Sequence, residues 1–488
     1  MTVMIGIGSA DLWGTWKTDE KLEDEIRVQA LVGIDSKGCA SAILESDLSL
    51  VWPSIALEIR SAVSGALDTA AENIGIFCTQ NHASPFLDGT AENFADRSLV
   101  TERFVEAAVR ARDTALPAEY AYVETADNTY RPVCRRKEIN GLGAVTFVCG
   151  YELRGDGSVC VAELLKQALH GLAAGDVKVR RSQYDLAEAR EFKDRAAACS
   201  IDAFISEPMI LDGITDTRIQ GLFFRSLEGE PIGSLSRWAA HPVCATGGGG
   251  KMSGDYPVYV RRRLAESFGG EPIHCAGPCG NQAPPVSDKS VELARRIGRD
   301  VADALLKELS TTDWSPVQAL SSATASFELP LRADIPLNES RCREAYEEAL
   351  KELQHARDRG EELPRLKQLS DRIEVLGFWT RGLMQSCTGL GFSDLKKRSV
   401  SHPLFALRIN DTVIAGLPGE PFGTYSIKLR EICNEVNLIT SEQCNGYLGY
   451  IPGDRDFPLG SYEAAASLFN VGIEECLIRA AEQLVRLT

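Results

Sequence analysis

The spacing of apolar and polar residues over the first 80 positions predicts a layered α/β arrangement. Four short runs are strongly apolar or alternate with period two, as buried strands do. They lie at 3–11, 28–35, 39–50 and 73–79. The run at 55–72 instead has its apolar residues at helical spacing. Strands alternating with helices are typical of a layered α/β domain, with an α+β arrangement as the alternative.

The middle of the chain has a more mixed pattern. Residues 92–116 carry apolar side chains among charges at helical spacing and end at Pro117, so we expect a helix there. Strands are expected at about 119–124 and 143–153. The charged segment 160–203 has a helical pattern, and its basic runs are typical of a solvated helix face.

Two β-hairpins are predicted further along. Residues 219–241 turn at Glu228–Gly229, and residues 403–417 turn at Asn410–Asp411. Each hairpin leads directly into a segment with candidate functional residues.

A helical hairpin is predicted between these two β-hairpins. The helical pattern runs through 336–390 and breaks at Gly360 and Pro364. We interpret it as an antiparallel pair of helices inserted into a single domain that spans 1–488.

The charge balance excludes some classes of partner. The chain has 52 Lys+Arg against 69 Asp+Glu, a net charge of −17, so nucleic acids and anionic lipid surfaces are not expected to bind. No stretch approaches the ~18 consecutive apolar residues of a membrane helix, and the N-terminus lacks the pattern of a secretion signal. We expect a cytoplasmic protein with a small-molecule substrate, and the oligomeric state stays open.

Cysteine usage agrees with that location. The 14 cysteines are scattered without CxxC pairs. In a large chain of this kind they are expected to be reduced and mostly buried thiols, without disulfides.

Candidate metal ligands follow predicted strands. His82 comes after the run at 73–79, His241 after the first β-hairpin and Glu420 after the second. Strand ends are where a layered α/β domain gathers its site residues. Two imidazoles and a carboxylate with an open position suit a catalytic zinc ion, which makes hydroxide available near neutral pH.

Other residues offer alternative chemistry. Cys279 lies in a turn-rich segment and could act as a nucleophile with His274 or His241 as its base, although a buried structural thiol is the commoner role. The pair Arg135–Arg136 could bind a carboxylate or polarise a carbonyl, against a default of salt bridging.

A series of short motifs runs through the chain. They are GIGSADL at 6–12, SDL at 46–48, QNHASP at 80–85, CRR at 134–136, WAAHP at 238–242, SGDYP at 253–257, GPCGNQAP at 277–284, LPGEPF at 417–422, NGYLGYIP at 445–452 and YEAAAS at 462–467. In this order the motifs resemble the catalytic domain of the neutral/alkaline ceramidase family. The resemblance spans nearly the whole chain, and PGEPF together with NGYxGYxP makes it specific.

The resemblance implies a ceramidase-like mixed-sheet fold and a zinc site. In the family, two histidines, the glutamate of PGE and a tyrosine of the Asn-x-Tyr motif hold the ion. Here these would be His241, Glu420 and Tyr447, with a fourth ligand near His82. Tyr450 is the alternative tyrosine.

Two departures from the family pattern affect the chemistry. Gln80 stands where the family has its usual first histidine, so Gln80 ligates, His82 takes over, or the metal site is altered or lost. Gly277 and Asn281 stand where the family has a serine and an aspartate, so a serine-based role is absent and metal-activated water is the natural attacking group.

The sequence therefore predicts a zinc-dependent hydrolase of an amide bond, or secondarily an ester, with a substrate other than ceramide. Another divalent metal is the alternative cofactor. The resemblance gives Arg135 a role at the substrate, and Gln80, Asn281 and Tyr450 are further candidates for substrate or catalytic contacts.

The alternatives are a cysteine hydrolase that uses Cys279 and a non-catalytic binding protein on the same scaffold. The sequence ends about where the family's catalytic domain ends, so we expect neither a signal peptide nor the family's C-terminal sandwich domain, and we do not expect extracellular lipid hydrolysis.

Overall fold

The structure is a computed structural model. It describes residues 2–16, 21–85, 87, 95–146, 152–153, 159–160, 211, 213–245, 251–285, 289–336, 338–380 and 394–488. Nearly all of the predicted helical segment 160–203, and residues 381–390 of the predicted helical hairpin, lie outside these ranges.

The strands of the described ranges are numbered in chain order. The first eleven are β1 (Met4–Asp11), β2 (Lys21–Leu22), β3 (Arg27–Ile34), β4 (Ala40–Ser46), β5 (Ile74–Cys78), β6 (Leu116–Thr125), β7 (Val133–Cys134), β8 (Arg136–Ile139), β9 (Gly143–Thr146), β10 (Glu152–Leu153) and β11 (Val159–Cys160). The others are β12 (Ile219–Ser226), β13 (Pro231–Trp238), β14 (Lys251–Met252), β15 (Glu271–Ala276), β16 (Gln282–Ala283), β17 (Ser315–Pro316), β18 (Leu320–Pro330), β19 (Ser399–Ile409), β20 (Thr412–Gly416), β21 (Glu420–Pro421), β22 (Asn437–Ser441) and β23 (Tyr450–Ile451).

The α-helices of the same ranges alternate with these strands. They are α1 (Pro53–Leu67), α2 (Arg97–Asp113), α3 (Asp255–Ser267), α4 (Val291–Leu309), α5 (Glu339–Asp358), α6 (Leu363–Thr380), α7 (Gly423–Ile432), α8 (Tyr462–Ala465) and α9 (Ile473–Leu487). Short 3₁₀ turns lie at Ala71–Asn73, Asp394–Lys397 and Phe457–Leu459. None of the described helices is both long enough and apolar enough to cross a membrane.

Two sheets form the centre of the molecule. The larger has nine strands in the order β15-β13-β12-β6-β1-β3-β4-β5, with β17 paired beside β6. The smaller has four strands in the order β18-β19-β20-β22. The two sheets pack face to face through an apolar core that includes Ile43 and Phe77 from the larger sheet and Phe405 and Ile414 from the smaller.

Helices cover the outer faces of both sheets. Helices α1 and α2 pack on β1 and β3–β5, and α3 and α4 pack on the β12–β13 side of the same sheet. Helix α9 packs on β18–β20, beside the hairpin of α5 and α6. Strands such as β4 and β20, which are covered on both faces, are buried at every position.

The structure confirms the mixed α/β fold and its main elements. The two β-hairpins form as β12–β13 and β19–β20, with their turns at the predicted positions. The helical hairpin forms as α5 and α6, and its break at 359–362 lies next to the predicted one. The assignment of 1–488 to one domain stays a prediction.

A buried ion pair ties the larger sheet to helix α3. Arg261 donates to both carboxylate oxygens of Asp47, at 2.7 and 2.6 Å, and Asp47 also accepts the N–H of Arg27 at 2.8 Å. Asp47 is fully buried. Losing the arginine would leave an uncompensated carboxylate in the interior, which is costly.

We therefore expect Arg261→Gln to lower the free energy of unfolding by ~3–5 kcal/mol in urea denaturation. The neighbouring Arg262, whose pair with Glu25 is solvent-exposed, is the matched control, and Arg262→Gln should cost at most ~1 kcal/mol. Equal effects of the two substitutions would contradict this account of the interior.

Candidate active site

The candidate active site lies where three parallel strand pairs end. The pairs are β4 with β5, β13 with β15, and β20 with β22. Within each pair the two strands are parallel, so both end at the same edge of their sheet. Backbone hydrogen bonds join the loops that follow them. The N–H of His82 donates to Pro242 O at 3.1 Å, that of Glu442 to Ala276 O at 3.1 Å, and that of Gly280 to Pro421 O at 2.9 Å.

The centre of the site is a contact between His241 and Glu420. The imidazole Nε2 lies 3.2 Å from the carboxylate Oε2, and both side chains are buried. The other ring nitrogen, Nδ1, lies 3.0 Å from the carbonyl oxygen of Gln282. The structure thus brings together two residues that sequence reasoning selected from different strand ends.

The Gln282 contact fixes the tautomer of His241. A carbonyl oxygen can only accept, so Nδ1 carries the hydrogen and a neutral ring presents its Nε2 lone pair to Glu420. Burial and the nearby charge of Arg135 lower the pKa of His241 and disfavour a second proton. Burial opposes ionisation of Glu420, but the hydrogen bond and charge of a protonated His241, with the charge of Arg135, lower its pKa to about 2. When His241 is neutral, its Nε2 lone pair repels the Glu420 carboxylate, and a proton or a metal ion between the two atoms removes that repulsion.

Two tyrosines flank this pair. The Tyr447 hydroxyl donates to Glu420, and its ring lies against Trp52 at a centroid distance of 5.9 Å. The Tyr450 hydroxyl accepts a hydrogen bond from Arg135 at 3.0 Å, and its ring is stacked on His241 with centroids 6.4 Å apart. Both phenols therefore remain candidates for the tyrosine ligand.

His82 and Gln80 occupy different environments. The side chain of His82 is exposed, and its ring centroid is 5.8 Å from that of His241. Gln80 is buried in a left-handed conformation with φ 62°, which a residue with a Cβ rarely adopts. Its Oε1 accepts a weak hydrogen bond from the Cys279 thiol at 3.6 Å.

The donor set matches part of a zinc site. Two ligand atoms of a tetrahedral zinc, each ~2.0–2.1 Å from the ion, lie ~3.3 Å apart. The 3.2 Å between His241 Nε2 and Glu420 Oε2 is that spacing, and the Gln282 carbonyl orients the imidazole as outer partners of zinc-bound histidines do. Within the described ranges, however, no three His, Cys, Asp or Glu side chains are clustered for a metal. A phenol or water would have to complete the site.

Cys279 lies beside the site as a protonated thiol. Its Sγ contacts Glu442 Oε1 at 3.2 Å, and its N–H donates to Glu442 Oε2 at 2.9 Å. Burial, followed by the charge of Glu442, raises the pKa of Cys279 well above its usual range. Burial and the charge of Glu420 likewise raise the pKa of Glu442. This environment disfavours the thiolate that a cysteine nucleophile requires.

Two of the three positions that depart from the family pattern, Asn281 and Gly277, have structural explanations. The Asn281 side chain accepts the N–H of Gly423 at 2.8 Å and donates to Ile214 O at 3.3 Å, so its polar atoms bind backbone. A Cβ at Gly277 would overlap the guanidinium of Arg237. Arg237 is buried and pairs with Asp216 at 2.8 Å, so it has little freedom to withdraw.

Sequence reasoning missed two buried carboxylates at this site. Glu442 directly follows β22, so the strand-end criterion that selected Glu420 would also have selected it. Glu463 forms an ion pair with Arg135 at 3.1 Å and lies in the YEAAAS motif. Arg135 lies far from Glu463 in the sequence, so no local sequence pattern connects the two residues.

Comparison with known proteins supports the fold. No protein-family model matches the chain, and no curated protein matches it. The solved structure of neutral ceramidase from Pseudomonas aeruginosa is similar, with a TM-score of 0.62 and 13% identity over 99% of this chain and 74% of that one. A structure of ceramidase complexed with C2 gives a TM-score of 0.61 and 13% identity over 99% and 75% of the two chains. This likeness shows a shared ceramidase-like fold.

Because of the Arg237 overlap, Gly277→Ser should destabilise the protein by at least about 2 kcal/mol in urea denaturation. Gly65 is the control, since a Cβ there meets open space on an exposed helix position, and Gly65→Ser should be nearly neutral. A Gly277→Ser variant of wild-type stability would show that a serine can be accommodated.

The buried thiol of Cys279 should resist alkylation in the folded protein. At pH 8, iodoacetamide should modify it roughly a hundredfold more slowly than the exposed Cys39, as measured by peptide mass spectrometry. If Cys279 were labelled as fast as Cys39, the result would support the hypothesis that Cys279 is a nucleophile.

Proposed function

We propose that this chain is a metal-dependent hydrolase that cleaves an amide bond, or secondarily an ester bond, in a small or acyl substrate other than ceramide. The observation that carries the proposal is the 3.2 Å contact between a tautomer-fixed imidazole and an ionised carboxylate, His241 and Glu420. The ceramidase-like fold supports the same reaction class, because those neighbours are enzymes named for an amide-bearing lipid.

The ligands in this proposal are His241, Glu420 and one phenol, Tyr447 or Tyr450, with His82 or Gln80 as a further candidate. A divalent ion such as zinc would supply Lewis-acid activation of water near neutral pH. Glu420 suits a ligand rather than a base, because a carboxylate with a pKa of about 2 holds a proton poorly at neutral pH.

The remaining residues orient the substrate and the ligands. Arg135 stays charged, because Tyr450 and Glu463 outweigh the effect of burial and raise its pKa further. Its Nη2 donates to the Tyr450 oxygen, which leaves the phenol proton available for a substrate carbonyl oxygen. The burial of His241, Glu420 and Arg135 keeps bulk water out and strengthens these interactions.

The rival hypotheses have less support. The cysteine hydrolase is disfavoured by the raised pKa of Cys279 and its bonds to Glu442. The hypothesis of a non-catalytic binding protein is based on Gln80 and Gly277. It does not account for the buried contact between His241 and Glu420.

Zinc added to the metal-stripped protein should bind once per chain and raise its melting temperature. Glu420→Ala should weaken zinc binding by at least about a hundredfold and abolish turnover of the N-acyl and cyclic amides that the wild type hydrolyses. Titration against a chromophoric chelator and an amide-hydrolysis panel measure the two effects.

The control for this test is Glu58→Gln, which removes an exposed carboxylate and should leave zinc affinity and turnover unchanged. The proposal would be contradicted if the chelated protein still hydrolysed these amides, or if Glu420→Ala hydrolysed them as fast as the wild type.

A further inference from the structure

Arg135 is held from one edge by Glu463. Its Nε lies 3.1 Å from Glu463 Oε1, and the side chains are 4% and 0% exposed. The two atoms are close enough for an ion pair, although the N–H is not aligned for a hydrogen bond. The other carboxylate oxygen of Glu463 accepts hydrogen bonds from Thr146 Oγ1 at 2.5 Å and from Ser461 Oγ at 3.1 Å. Glu463 is thus itself fixed in place.

The terminal Nη2 of the guanidinium contacts the loops of the proposed metal site. It donates to the Tyr450 hydroxyl at 3.0 Å and to Gly280 O at 2.9 Å. Tyr450 is the register partner of Glu420 in the β21–β23 pair, and Gly280 packs on the backbone of Glu420. Arg135 therefore lies between a carboxylate that anchors it and the segment that carries Glu420.

These two carboxylates compete for one cation. Of the described carboxylates, Glu463 and Glu420 act most strongly on Arg135. In a buried, weakly polarisable environment an arginine without a counter-ion is strongly attracted to the next available anion. Without the Glu463 charge, that anion is Glu420, the side chain on which a metal ion would depend.

We propose that Glu463 is a positioning residue: it holds Arg135 against Tyr450 and Gly280 and so keeps the Glu420 carboxylate available to a divalent cation. This inference rests on the proposed function, since it concerns the same site. Glu463 also offsets the repulsion between the guanidinium and a bound cation. Arg135 then remains a hydrogen-bond donor whose charge is already balanced, which suits an uncharged carbonyl oxygen.

A double-mutant cycle on zinc affinity tests the role of Glu463. Zinc is titrated into the metal-stripped, full-length wild type and into Glu463→Gln, Arg135→Gln and the double variant, with a chromophoric chelator as competitor. Glu463→Gln should bind zinc at least roughly tenfold more weakly than wild type, because Arg135 is released toward Glu420. In the double variant, affinity should return to the wild-type value or exceed it, because the competing guanidinium is gone.

The control is Glu119→Gln, which removes a half-buried carboxylate that pairs with Arg225. Its zinc affinity should stay within about threefold of wild type. Thermal unfolding of each variant confirms that it is folded. If Glu463→Gln does not fold, Glu463→Asp replaces it: the shorter carboxylate should weaken zinc binding, and Arg135→Gln should remove that loss.

The outcomes separate the two proposals. A wild type that binds no zinc overturns the metal-dependent function and this inference with it. A wild type that binds zinc, with Glu463→Gln unchanged or with a loss that persists after Arg135→Gln, overturns this inference alone. A loss that Arg135→Gln rescues supports it, because a purely structural effect of Glu463 would not depend on residue 135.

Discussion

The site depends on one contact, between Nε2 of His241 and the carboxylate of Glu420. The Gln282 carbonyl places a ring hydrogen on Nδ1, so in the neutral imidazole an Nε2 lone pair faces the carboxylate 3.2 Å away in a buried setting. These two electron-rich atoms repel each other unless a positive charge, a proton or a metal ion, lies between them. The nearby buried Arg135 is already paired with Glu463, so its charge does not neutralise Glu420. The positive charge therefore has to lie at the His241–Glu420 contact itself.

The fold brings these atoms together through its layers. Helices cover the outer faces of both sheets, and the inner faces meet in an apolar core. The candidate site forms at the strand ends, where parallel pairs bring together loops from distant parts of the chain. Hydrogen bonds between loops, such as Gly280 to Pro421, use up backbone groups that would otherwise be unsatisfied and hold the loops in register.

Apolar periodicity predicted most of the architecture. The continuous burial of strands such as β4, and the turns at Asn410–Asp411 and Glu228–Gly229, follow from local patterns that tertiary structure did not override. His241 and Glu420 were predicted because each comes a few residues after the second strand of a β-hairpin, and the structure brings them into contact.

What could not be predicted depends on contacts between distant segments. Glu463 matters because Arg135 packs on it, and Gly277 is required because Arg237 fills the space beside it. Neither contact can be predicted from the spacing of residues along the sequence. The left-handed backbone of Gln80 is likewise imposed by its surroundings rather than by its own preference. The choice between Tyr447 and Tyr450 stays open because both phenols flank the same pair.

The most direct measurement of the central claim is anomalous X-ray diffraction at the zinc absorption edge, on crystals of the full chain purified without chelator. The account predicts one strong anomalous peak ~2.0–2.1 Å from both His241 Nε2 and Glu420 Oε2. Diffraction data without such a peak, and with the two side chains in direct hydrogen-bonding contact, would contradict it.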